Sequence, residues 1–162
     1  MNKQVLLDKL HKFCPPWIKQ ADPSLPVEEI FQQTIRQVLP GLLHVTIEYI
    51  DHEKIIGTVP YHHQTANVLG YMHGGTIFST GDTLAGTFLW ANSEAGQYAV
   101  TTHSEIKYLK PFKEGVLKCV VVEKSRQNRI VTLEAVFMDD DKQTISVMTV
   151  DYLLMKADYP AT

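Results

Sequence analysis

Residues 67–91 read Asn67-Val-Leu-Gly-Tyr-Met-His73-Gly74-Gly75-Thr-Ile-Phe-Ser-Thr-Gly-Asp82-Thr-Leu-Ala-Gly-Thr-Phe-Leu-Trp-Ala91, and the rest of the chain can be organised around them. A glycine pair, Gly74-Gly75, opens a segment in which Ile77, Phe78, Leu84, Ala85, Phe88 and Leu89 recur at three- and four-residue spacings. That is the pattern of one buried helical face. A second stripe, Gly75, Ser79, Asp82 and Gly86, advances in steps of four, three and four, so it shares another face. This face is small apart from one carboxylate, and a backbone or a ligand can approach it closely. Glycine within a helix costs about 1 kcal/mol relative to alanine, so Gly81 and Gly86 imply a packing or functional reason. Asp82 lies two turns inside, away from the helix start where aspartate is a routine cap.

The 162 residues fit one domain with room for a real core. Hydrophobic residues make up 44% and charged residues 20%, both ordinary for a soluble globular protein. A net charge of −3 argues against a nucleic-acid binder, which would carry a basic surplus. The two cysteines, Cys14 and Cys119, form no paired-ligand spacing and read as reduced thiols of a cytosolic protein. The first residues, Met1-Asn-Lys-Gln-Val-Leu-Leu-Asp-Lys, carry charges where a secretory signal would need an apolar run. No stretch approaches the roughly 18 apolar residues of a membrane span. A cytoplasmic protein, bound neither to membrane nor to nucleic acid, is expected.

Before the central segment, residues 2–13 can form a short helix, ended by Cys14-Pro15-Pro16 because proline cannot continue it. Residues 27–38 form a better helix, with Ile30, Phe31, Ile35 and Val38 on one face, and Pro40-Gly41 is expected to stop it. Strand candidates follow at His44–Ile50 and Lys54–Pro60, with Asp51-His-Glu53 as the hairpin turn. Tyr61–Tyr71 is irregular. After the central helix, Asn92-Ser-Glu-Ala-Gly96 is expected to close it with glycine. Four strands then run in series at about Tyr98–Leu109, Val116–Lys124, Ile130–Met138 and Thr144–Met155, joined by polar connections such as Ser125–Asn128. In Ile130–Met138, Val131, Leu133, Ala135 and Phe137 alternate with Thr132 and Glu134. Antiparallel strands around one helix argue for an α+β fold.

The His73-Gly74-Gly75 run followed by Asp82 nine residues after the histidine, with Asn67 six residues before it, resembles the hotdog-fold acyl-CoA thioesterases, in particular their phenylacetate-pathway (PaaI-type) branch. The strand Thr101-Thr-His-Ser-Glu-Ile-Lys-Tyr-Leu-Lys-Pro111 is similar to that family too, and the likeness spans about residues 40–156. The resemblance implies a curved antiparallel sheet wrapped around a central helix. It divides the chain into an N-terminal helical extension, 1–40, and a hotdog thioesterase domain, 41–156. It also implies a homodimer or homotetramer with active sites at the interface, an acyl-CoA substrate, and no metal or redox cofactor.

Thioester hydrolysis needs an activated nucleophile, stabilisation of the developing oxyanion, and a pocket that positions the carbonyl. Asp82 is the candidate base or nucleophile; a buried structural aspartate is the alternative. Gly74 can donate its N–H to an oxyanion at a helix N-terminus, where unpaired N–H groups gather, or serve the turn alone. Asn67 can position water or the substrate carbonyl, or bond its own loop as turn asparagines do. Thr101 matches a hydroxyl position that in some family members holds the attacking water. His73 and Gly75 are candidates for substrate contact, although a structural role at the helix start is the preferred reading of His73, since a hydrolase with Asp82 as base needs no second base. Lys107, Lys110, Lys113, Lys124, Arg126 and Arg129 can meet coenzyme phosphates or form a solvated rim. His62, His63, His73 and His103 show no zinc-type spacing. Two other activities on this fold compete with hydrolysis: a non-catalytic acyl-CoA binder or sensor, and a dehydratase or hydratase.

Overall fold

The computed structural model describes residues 2–156. Helix α1 spans Lys3–Phe13 and α2 spans Val27–Ile35; a single turn, α3, covers Leu39–Leu42. Strands β1 (Thr46–Ile50) and β2 (Lys54–Pro60) lead through an irregular connection to the long helix α4, Gly74–Asn92. Strands β3 (Gln97–Tyr108), β4 (Val116–Gln127), β5 (Ile130–Met138) and β6 (Thr144–Lys156) complete the chain. All pairings are antiparallel and give one six-stranded sheet in the order β1-β2-β4-β5-β6-β3. Helix α4 packs across the face of this sheet, so the chain adopts the expected α+β hotdog arrangement.

The alternation read in β5 is the reason it sits mid-sheet: Val131, Leu133, Ala135 and Phe137 are fully buried, while Thr132 and Glu134 face the other way. Ile77, Leu84, Ala85, Phe88 and Leu89 of α4 press onto that layer. Burying a side chain such as Leu84 or Phe88 contributes about 1.5–3 kcal/mol each. The approach is close. A Cβ added at Gly57 would stand 2.7 Å from a Leu84 methyl, and one added at Gly81 would stand 2.7 Å from the Met148 sulfur. Gly81 therefore has a packing reason. Gly86 has none, since its added Cβ would meet nothing nearer than the Tyr152 hydroxyl at 3.6 Å.

Three expected boundaries are corrected. Helix α2 ends at Ile35, and Pro40-Gly41 does not stop it but lies inside α3, where a proline in the first turn gives up no helical hydrogen bond. Helix α4 ends through side chains rather than glycine. Asn92 Nδ2 donates to the carbonyls of Phe88 and Asp51, and Gly96, at φ +74°, forms the turn into β3 instead. Strand β4 runs on to Gln127, pairing with Ile130, because Asn128 at φ +55° allows a two-residue turn with Arg129.

The N-terminal helices belong to the same core. Leu6, Leu10, Ile30 and Phe31 are buried within it. The buried Gln32 side chain donates from Nε2 to the Val45 carbonyl at 3.0 Å and accepts the Ile47 N–H at 2.7 Å. It thus covers the start of β1, one edge of the sheet. The opposite edge, β3, pairs only with β6 among the described residues.

In the connection after β2, His62 Nε2 is sealed from solvent with no hydrogen-bond partner, and the ring lies 4.8 Å from that of His44 and 6.2 Å from that of His63. Burial, then repulsion from those two imidazoles, pushes its pKa below the ordinary value. The unfolded chain therefore takes up the proton first as pH falls, and stability is lost through the region below about 6.5. Thermal midpoints measured from about pH 7.5 to 5.5 should fall more steeply for the parent than for His62→Asn. Asp51, held down to about 2 by the Tyr49 hydroxyl and neighbouring N–H groups, acts at lower pH and leaves that window clear.

Candidate active site

Helix α4 carries Asp82 on its half-buried face, beneath β3 and β6. The Thr101 hydroxyl of β3 donates to Asp82 Oδ1 at 3.0 Å. The Tyr152 hydroxyl of β6 lies 3.0 Å from the Asp82 carbonyl oxygen and 3.2 Å from Oδ1. Thr101 and Tyr152 face each other in the β3–β6 ladder, immediately before a bulge at Thr102, whose own hydroxyl bonds the Asp151 carbonyl. Both hydroxyls are thus brought to one oxygen by the sheet register. Asp82 Oδ2 makes no hydrogen bond among the described residues. Burial and the adjacent carboxylate push the Tyr152 phenol well above its usual range, so it stays protonated and available as a donor.

Sequence reading missed Tyr152. The signal was there in part, because Met148, Val150, Tyr152 and Leu154 alternate onto the buried face of β6. A tyrosine hydroxyl on a core face needs a partner. Which partner depends on β6 lying beside β3, which no local pattern gives.

A second group gathers at the start of α4. His73 is the N-cap, and its Nδ1 accepts the Gly75 N–H at 2.8 Å, which occupies that donor. The Gly74 N–H makes no hydrogen bond among the described residues. The Tyr108 hydroxyl donates to the Gly74 carbonyl at 2.9 Å, and its ring lies so close that a Cβ at Gly74 would stand 3.0 Å away. Asn67 Oδ1 accepts the N–H groups of Leu69 and Tyr71, the turn role, while its Nδ2 donor is unused among the described residues. Asn67, Gly74 and Tyr108 border a common hollow of about 390 Å³.

Asp82 and Thr101 therefore come together, and so do Asn67, His73, Gly74 and Gly75, but the two groups are apart. Eight residues of α4 separate Gly74 from Asp82, about 12 Å at 1.5 Å per residue. A reacting carbonyl contacts groups about 3 Å away, so one chain alone does not put both sets on the same atom.

Three of the six basic candidates are paired at the surface: Lys124 with Glu134, Arg126 with Glu123 and Lys107 with Glu105. Among the described residues, no three His, Cys, Asp or Glu side chains are grouped to hold a metal ion. No helix there is long and apolar enough to cross a membrane.

Asp82 and Thr101 open on a pocket of about 510 Å³, distinct from the hollow beside Gly74. A carboxylate with one oxygen fixed by hydroxyls and the other free, at the end of an apolar pocket, can accept a proton or attack an electrophilic carbon.

The sequence profile of the thioesterase superfamily matches residues 69–153, just over half of the chain. No curated protein matches. Among solved structures, a thioesterase of Pseudomonas aeruginosa is similar with a TM-score of 0.78 at 16% identity, covering 83% of this chain and 97% of that one. A thioesterase of Haemophilus influenzae gives 0.77 at 15% identity, over 90% and 99%. The PaaI protein of the E. coli phenylacetic acid degradation operon gives 0.67 at 18% identity, over 73% and 84%.

Proposed function

The chain belongs to the thioesterase superfamily, and from that membership we propose that it hydrolyses an acyl-CoA thioester to a free acid and CoA. The observation that supports this best is the Asp82 carboxylate, its Oδ1 held by the Thr101 and Tyr152 hydroxyls and its Oδ2 free. In the base route, Oδ2 takes a proton from water as the water oxygen bonds the thioester carbon. In the nucleophile route, Oδ2 bonds that carbon itself, and water later cleaves the anhydride. In both, the carbonyl oxygen gains negative charge, which the unpaired Gly74 N–H at the start of α4 would stabilise. Collapse then breaks the C–S bond and expels the thiolate, which is protonated to the free thiol. The Asn67 Nδ2 donor would orient the carbonyl, and His73 and Gly75 shape the loop against which the substrate lies.

Because Gly74 and Asp82 are about 12 Å apart in one chain, the proposal includes a homodimer. Two copies related by a two-fold axis crossing α4 near Phe78, midway between 74 and 82, would set Gly74 of each against Asp82 of the other. The β3 edge, which pairs only with β6 among the described residues, is the surface that suits this, since an open edge is an energetic liability that a partner strand relieves.

Free-thiol release from short, medium, long and aryl acyl-CoAs tests the proposal. Release with saturation kinetics is expected. Saturable binding of acyl-CoA without release from any substrate would replace hydrolysis by a binder or sensor role.

A further inference from the structure

The pocket that ends at Asp82 has an unexpected second wall. Asp82, Gly86 and Trp90 follow one another along one face of α4, about 12 Å of helix. Facing them are Leu10, Cys14, Ile18, Phe31 and Ile35, all from the first 38 residues, a segment outside the stretch that matches the superfamily. No charged residue is among those that this segment gives to the pocket.

The wall is anchored rather than draped. Lys9, 2% exposed, donates from Nζ to the Trp90 carbonyl at 3.2 Å and to the Ser93 hydroxyl at 2.9 Å, fastening α1 to the C-terminal end of α4. The Phe13 ring packs 6.2 Å from Trp90 and 5.6 Å from Tyr98. The loop after α1 is fixed to the turn that follows α2 by Gln37, whose amide accepts the Lys19 N–H at 2.7 Å and donates to the Lys19 carbonyl at 2.9 Å. Between these fastenings Trp17 stands 67% exposed at the rim. Across the pocket, Gly86 is the residue whose missing side chain keeps the floor open, because no packing contact demands glycine there.

We propose that the N-terminal segment is the acyl-recognition wall of this protein, and that the apolar acyl chain of the thioester lies between it and the Gly86–Trp90 face of α4. This rests on the thioesterase reading above. The pantetheine arm, with its amides, finds few polar partners along such a wall; a hydrocarbon chain needs none. The carboxylate at one end fixes the direction, with the thioester carbon at Asp82 and the chain running toward Trp90. The occupant is therefore an acyl group long enough to use that length, and an acetyl group would leave the wall unused.

Two readouts test this independently. Gly86→Leu fills the floor with a better helix former, so the folded protein is retained. The ratio of kcat/KM for octanoyl-CoA to that for acetyl-CoA should exceed one in the parent and fall at least about tenfold in Gly86→Leu. Separately, Cys14 lines the pocket half-buried whereas Cys119 is fully buried, so a thiol reagent reports on the pocket. The non-hydrolysable thioether S-octyl-CoA should slow Cys14 labelling about tenfold, and CoA alone should not. An unchanged ratio with no protection of Cys14, while both substrates are hydrolysed, would overturn the acyl wall and leave hydrolysis standing. Protection without turnover of any substrate would support the wall and overturn hydrolysis. A Cys14 already unreactive in the ligand-free protein, but reactive on dilution to monomer, would mean that a second copy occupies the pocket and would overturn the proposal.

Discussion

Asp82→Asn should lower acyl-CoA turnover by at least about a hundredfold, because a positioned base contributes about 10²–10⁴-fold and a nucleophile no less. Asparagine is nearly isosteric and its Oδ1 still accepts from Thr101, so the α4–β3 contact and the fold should survive. What it loses is the negative charge and the ability of Oδ2 to take a proton. The measurement is kcat/KM for the best substrate, beside the thermal midpoint of both proteins. An unchanged midpoint with collapsed turnover assigns the loss to chemistry. Turnover retained by a folded Asp82→Asn protein would remove this residue from the mechanism and, with it, the reading of the second stripe on α4.

That stripe shows how far the sequence carried. Spacing alone put Asp82 on a small-residue face with Gly75, Ser79 and Gly86, and the face is indeed the less buried side of the helix. The succession of strands around the central helix and the buried alternation of β5 were also legible, because both need only local pattern, whereas the order of the strands within the sheet was not. At Pro40 and Gly96, proline or glycine chemistry suggests a stop, but where the helix ends is decided by other contacts, at the end of α4 by the Asn92–Asp51 bond; at Asn128 the positive φ shortens the expected connection to a two-residue turn. Tyr152 and the N-terminal wall were harder. Both reach Asp82 through contacts distant in sequence, Tyr152 across 70 positions. The apolar face Ile30, Phe31 and Ile35 was readable as buried. That Phe31 and Ile35 also line a pocket ending on Asp82 was not, because a core-facing and a ligand-facing apolar residue have the same pattern.

The shared site makes its own prediction through two inactive proteins. Gly74→Pro deletes the proposed oxyanion donor and should cost about 10²–10³ in turnover. The helix should tolerate it: proline is favoured at the first helical position, and His73 at φ −65° and ψ 134° has the extended backbone that a residue before proline prefers. The N–H removed makes no hydrogen bond among the described residues, and the Tyr108 ring, half-exposed, can swing aside for the new side chain. If Gly74 of one copy serves Asp82 of the other, a dimer of one Asp82→Asn chain and one Gly74→Pro chain carries both lesions in one site and none in the other. Differently tagged chains, co-expressed and purified through both tags, should then show about half the parental activity, and a random mixture about a quarter. If each chain assembles its own site, every site in the mixture keeps one lesion. The purified heterodimer would then remain as inactive as its parents, and the two-fold arrangement through β3 would fall while the role of Asp82 stood.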